Sequence, residues 1–128
     1  MTVVRFFFIV FALLLVSPFA RAHDPAHPEN DDWYQSLTVP GTNNASCCNM
    51  RDCKTVQARI RKDSLWEVYI SSDAFSDDYR DPREGHAPND WVKVPAGAVL
   101  HDRPNPTGEP VACWFDRKIL CFVPGVEV

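Results

Sequence analysis

Five cysteines, at positions 47, 48, 53, 113 and 121, constrain this chain more than any other feature. Three crowd into Cys47-Cys48-x4-Cys53 and two lie close to the C-terminus, so any covalent link between the groups ties the middle of the chain to its end. Small domains in oxidising compartments use such links in place of a large core, each contributing about 2–4 kcal/mol. An odd number leaves one cysteine outside any intramolecular pair, and spacing alone does not choose the pairing.

The N-terminus indicates the compartment. Arg5 precedes the unbroken apolar run Phe6 to Val16, and Ala20-Arg21-Ala22 has the small-x-small pattern that signal peptidase accepts. Residues 1–22 therefore read as a signal peptide cleaved after Ala22, with the apolar run too short to span a bilayer core. The expected location is periplasmic or extracellular, with no stable membrane anchor after cleavage. Those residues carry two arginines and no acid, so the exported chain is more acidic than the net −4 of the full sequence. Without a basic run it is a poor partner for nucleic acid. Residues 23–30, with Pro25 and Pro28, read as a flexible leader, and 31–128 as a single disulfide-stabilised domain.

Within that domain Asn30 or Asp31 is positioned to cap a short helix through Leu37, with Trp33 and Leu37 on one face. Ser46 is placed to open one helical turn through the cysteine cluster. From Thr55 to Arg61 apolar Val56, Ala58 and Ile60 alternate with Gln57, Arg59 and Arg61, which predicts a half-buried strand. Lys62-Asp63-Ser64 turns it, and Leu65 to Ser71 returns with Trp66, Val68 and Ile70 on one face and Leu65, Glu67 and Tyr69 on the other. Residues 72–90 lose all periodicity. Trp91 to Val94 reads as a strand ended by Pro95, Ala98 to Leu100 as a brief one, and Arg103 to Pro110 as a turn-rich crossing. Val111 to Phe115 and Ile119 to Val123 form a closing hairpin. The fold class expected is mainly β: a small antiparallel sheet or partly closed barrel of five or six short strands with one or two short N-terminal helices.

The closing hairpin bears on the disulfides. A three-residue loop Asp116-Arg117-Lys118 sets Cys113 opposite Cys121, whereas a two-residue loop Arg117-Lys118 sets it opposite Phe122. Two outcomes stay open: a cross-strand Cys113–Cys121 bridge, or both cysteines on one face reaching two of Cys47, Cys48 and Cys53. The second closes larger loops and is favoured.

Chemistry-bearing motifs are few. No C-x-x-C is present for thioredoxin-type exchange, and the cysteine spacing lacks the paired knuckles of structural zinc. After cleavage, His23 presents an α-amine and an imidazole together, with His27 as a further nitrogen ligand suited to copper. Asp73, Asp77, Asp78, Asp81 and Glu84 lack EF-hand spacing and read as a solvated, self-paired loop with Arg80, Arg83 and His86. His86 and His101 have the chemistry of general bases but no assignable nucleophile. The four tryptophans, Trp33, Trp66, Trp91 and Trp114, can fill the core of a domain with few Leu and Ile; the alternative exposes one of them, Trp91 at the end of the long loop, as a binding platform.

The constellation Trp33-Tyr34-x-Ser36-Leu37, Ser46-Cys47-Cys48-x4-Cys53, Trp91-Val92-x-Val94-Pro95, Asn105-Pro106-Thr107-Gly108, Cys113-Trp114 and Cys121-Phe122-Val123-Pro124 resembles a group of small exported bacterial proteins of unassigned function. The resemblance implies that signal, cysteine cluster and closing hairpin belong to one domain type, and brings no catalytic residue or cofactor. The function expected is a non-enzymatic binding domain without cofactor. It would engage a protein or cell-envelope partner through Tyr79, Arg80, Arg83, His86 and Trp91. The alternative is a periplasmic copper- or zinc-binding or thiol-redox protein.

Overall fold

The computed structural model describes residues 26–48, 52–75 and 87–126. It is mainly β, with two three-stranded antiparallel sheets. Strands β1 (Cys53–Thr55), β5 (Val111–Phe115) and β6 (Lys118–Val123) form one, in the order β1-β5-β6. Strands β2 (Ala58–Ile60), β3 (Trp66–Ile70) and β4 (Asp90–Lys93) form the other, in chain order. Among the described residues neither sheet closes into a barrel. Helical structure among the described residues is confined to Asp31–Ser36, Ser72–Phe75 and 3-10 turns at Pro28–Asn30 and Ala96–Ala98.

The run expected as one strand over 55–61 is divided between the sheets. Cys53–Thr55 pairs with β5, and Ala58–Ile60 pairs with β3. Between them the Val56 N–H donates to the Pro110 carbonyl at 2.9 Å, while the Gln57 carbonyl accepts from the Tyr69 N–H at 2.9 Å. Consecutive residues thus bond to different sheets, and the chain crosses over without breaking its alternation. The β2–β3 hairpin has its expected three-residue turn: the Arg61 N–H donates to the Leu65 carbonyl at 2.8 Å, and Ser64 takes φ 61°. On β3 the inward side chains Val68 and Ile70 are fully buried, with Trp66 partly so.

The closing hairpin follows neither loop considered from sequence. Its turn is Asp116-Arg117, with φ of 47° and 60°, the two positive values a type I′ turn needs. Phe115 therefore pairs with Lys118 and Trp114 with Ile119. A register shift between Cys113 and Trp114 inserts Leu120 as an extra residue and restores Cys113 opposite Cys121. Because of this bulge Leu120 and Cys121 both face the same core, whereas strict alternation would separate them.

Since Cys53 also pairs with Cys113, three cysteines form one row across β1, β5 and β6. The bridges are Cys53–Cys113 and Cys47–Cys121. Both C-terminal cysteines thus reach back to the cluster at 47–53, and Cys48 lies buried outside both bridges. Helix Asp31–Ser36 packs on this row through Tyr34 and Leu37, so Tyr34 and not Trp33 supplies its deeply buried aromatic ring. The Trp33 indole instead donates to the Pro104 carbonyl at 2.6 Å.

Two further expectations are corrected. No helical turn opens at Ser46: this residue bridges Thr38, and the Cys47 N–H donates to the Leu37 carbonyl at 2.9 Å, which holds the backbone extended. Residues 98–100 are not a strand of either sheet. Ala96–Ala98 is a 3-10 turn after Pro95, and only Val99 makes a parallel bridge, to Phe122.

The β5–β6 hairpin is buried on both faces. Val111, Cys113, Cys121 and Val123 face the cysteine core, while Ala112, Trp114, Ile119 and Phe122 face the second sheet and pack with Val68, Ile70, Phe75 and Val94. The order is therefore helix, sheet, sheet, which explains why the closing hairpin is apolar at nearly every position.

Candidate functional site

Alternation on β2–β3–β4 sends a second set of side chains outward. The register aligns Arg59, Glu67 and Lys93 in one row, and Tyr69 with Trp91 in the next. Arg59 lies between them. Its Nε and Nη2 contact Glu67 Oε2 at 3.0 and 2.9 Å, while its guanidinium carbon sits 3.9 Å from the Trp91 ring centroid. Arg61 donates from Nη1 to Glu67 Oε1 at 2.9 Å and from Nε to Asp63 Oδ1 at 3.2 Å. One carboxylate thus holds two guanidinium groups.

Glu67 is 8% exposed, an unusual position for a charged residue on a solvent-facing side. The hydrogen bond from Arg59, and after it the contacts with Arg61, hold its carboxyl below the ordinary carboxylate range against the opposing effect of burial. Arg61 is correspondingly held protonated, first by its hydrogen bond to Glu67.

The aromatic part is equally ordered. Tyr69 and Trp91 meet edge to face, with centroids 5.7 Å apart. The Tyr69 hydroxyl donates to the Asn89 carbonyl at 3.1 Å, and Asn89 Oδ1 accepts from the Ser72 N–H at 2.6 Å. Asn89, at φ 52°, therefore fixes the end of the 72–90 segment against the start of helix Ser72–Phe75.

Two grooves flank β2. One, of about 420 Å³, is lined by Ile60, Trp66, Leu100, His101, Arg103 and Val126, with Asn105, Pro124 and Gly125. The other, of about 610 Å³, follows the crossover backbone from Thr55 to Ala58 and is closed by Trp91, Glu109 and Pro110.

Of the residues singled out in the sequence, Trp91 lies in this surface, partly buried beneath Arg59. Tyr79, Arg80, Arg83 and His86 lie outside the described residues, as does His23. His27 Nδ1 contacts Glu29 Oε1 at 3.0 Å. His101 lines the first groove, whose lining among the described residues includes no carboxylate or hydroxyl side chain. Cys47, Cys53, Cys113 and Cys121 are engaged in disulfides, and no group of three or more His, Cys, Asp or Glu side chains is placed to hold a metal ion among the described residues. Arg59, Arg61, Glu67 and Tyr69 were not singled out as a site. Their signal was present in the hairpin, since a three-residue turn at 62–64 sets Arg59 opposite Glu67.

Comparison of the chain with protein-family models, with characterised proteins and with solved structures finds no match. The two disulfides are consistent with an oxidising, exported location, and among the described residues no helix is long and apolar enough to cross a membrane.

Proposed function

We propose that this chain is exported by the signal at 1–22, cleaved after Ala22, and acts in the periplasm or outside the cell as a non-enzymatic binding module. Its partner is a protein or a component of the cell envelope, engaged through the outward face of β2–β3–β4 and the adjoining 72–90 segment. The observation that carries this reading is the Arg59–Trp91–Tyr69–Glu67 cluster. Aromatic rings and guanidinium groups held in fixed rotamers on a sheet face are the groups that dominate binding energy at interfaces, and fixing them before contact lowers the entropy cost of association.

The experiment is site-specific photocrosslinking in cells producing the full chain. A photoreactive residue replacing Lys93, in the row of Arg59 and Glu67, is expected to give a discrete adduct. The same residue at Lys118, on the hairpin turn, is expected to give none. Equal labelling from both positions, or no adduct from position 93, overturns the proposal.

A further inference from the structure

The β2–β3 register leaves one strand edge open. Residues 57, 59 and 61 direct their hydrogen-bonding groups to β3: Gln57 accepts from Tyr69, Arg61 donates to Leu65, and Arg59 lies between them opposite Glu67. By alternation the N–H and C=O groups of Ala58 and Ile60 point away from β3, and among the described residues no backbone partner meets them. Such an edge is a template for an added strand.

Its surroundings define what that strand must carry. At the Ile60 end lies the 420 Å³ groove, where Ile60 is 55% and Val126 63% exposed beside partly buried Trp66 and Leu100. These are two of the three exposed large hydrophobic residues described, and the third, Leu65, is next to Trp66. Arg103 and His101 border the groove, and neither has an acidic partner among the described residues. In an acidic chain, an arginine without an acidic partner among the described residues, beside an apolar groove and a strand edge unpaired among those residues, is complementary to a peptide that is both apolar and acidic.

We infer that β2 receives an extended peptide segment of a partner protein as a fourth strand of the β2-β3-β4 sheet. Backbone hydrogen bonds to Ala58 and Ile60 supply register, apolar side chains at alternate positions enter the groove lined by Ile60, Trp66, Leu100 and Val126, and a carboxylate meets Arg103. The inference rests on the binding-module reading and names the chemistry of the partner.

The test is selection of the exported chain, residues 23–128, against a displayed library of random decapeptides, followed by titration of the selected consensus peptide into isotopically labelled protein. Enriched sequences are expected to combine alternating apolar residues with an acid. The peptide is expected to shift the Ala58 and Ile60 amides and the Trp66 indole. Arg103→Glu is expected to weaken binding about tenfold. Since Arg103 is exposed, its variant should keep the wild-type spectrum elsewhere, and Arg103→Lys should recover most of the affinity. Failure of any sequence to enrich, enrichment without an acid, or binding indifferent to Arg103→Glu overturns the inference. Binding abolished by Trp91→Ala yet unaffected by Arg103→Glu also overturns it, while leaving the module intact with its contact on the outward sheet face. An adduct from position 93 in cells without any selected peptide separates the same two cases.

Discussion

Glu67 shows how a single outward residue acquires structural weight. Its carboxylate is shielded by Arg59 and Arg61 and accepts from both, so protonation would leave two guanidinium groups facing a neutral acid. Its folded pKa is depressed from the ordinary 4.5, so the stability it contributes is fully present above that value and is lost as pH falls through the folded one. Urea titrations at neutral and acidic pH should therefore show wild type losing more stability on acidification than Glu67→Gln. Equal losses would mean that the pair is too solvent-screened to matter. Trp91→Ala should lower stability by about 1–2 kcal/mol in urea denaturation, through loss of the cation–π contact with Arg59 and the edge-to-face contact with Tyr69. The strand position of Trp91 was legible, because Trp91-Val92-Lys93-Val94 follows a segment without periodicity and ends at Pro95. The covering of its ring by Arg59 was not, since that depends on a register that skips from β2 across β3 to β4.

At the scale of elements, the closing hairpin separates what pattern reveals from what it conceals. Two apolar runs around a polar triplet establish a hairpin whatever the turn. The turn itself stayed ambiguous because the extra residue sits at Leu120, within the strand, and an apolar residue in an apolar run leaves no trace. The split between β1 and β2 was concealed for a similar reason, as alternation runs unbroken through Val56 and Gln57 while the hydrogen bonds change sheets. In the turn, Asp116 and Arg117 occupy left-handed backbone conformations that branched and long side chains adopt at a cost. Replacing the pair by Asn-Gly should stabilise the protein by about 0.5–1 kcal/mol in urea denaturation and leave the Cys113–Cys121 register unchanged. A loss of stability would show that the Asp116–Lys118 ion pair at 3.8 Å, or a contact of Arg117, outweighs the backbone gain. The same logic applies to Trp114, whose indole N–H is buried without a hydrogen-bond partner among the described residues. Trp114→Phe removes that unmet donor together with some packing, so its cost should fall below the roughly 3–5 kcal/mol typical of deleting a core aromatic ring.

Over the whole molecule the cysteine row is the hinge between layers. The bridges Cys47–Cys121 and Cys53–Cys113 span sequence separations of 74 and 60; the first fastens the segment that follows helix Asp31–Ser36 to the β1-β5-β6 sheet, the second links β1 to β5 within that sheet, and the sheet's opposite face packs on β2–β3–β4. In the chain-entropy account, loops of such length restrict the unfolded state by about 4 kcal/mol per bridge, comparable with the total stability expected of a domain this small. Cys48 lies in the same core but closes no loop, so replacing it removes no chain-entropy restriction from the unfolded state. The three classes of substitution should therefore separate clearly. Cys48→Ala should cost about 1 kcal/mol, Cys53→Ala with Cys113→Ala about 2–4 kcal/mol, and loss of both bridges should abolish the cooperative transition at 37 °C. Urea denaturation of each variant, with intact mass after alkylation of the denatured but unreduced protein, checks the ranking and the map together. Wild type should take up one alkyl group, and Cys48→Ala none. If Cys48→Ala proved as damaging as removal of a bridge, the covalent links would not be what holds the layers together, and the thiol core itself would have to carry that role.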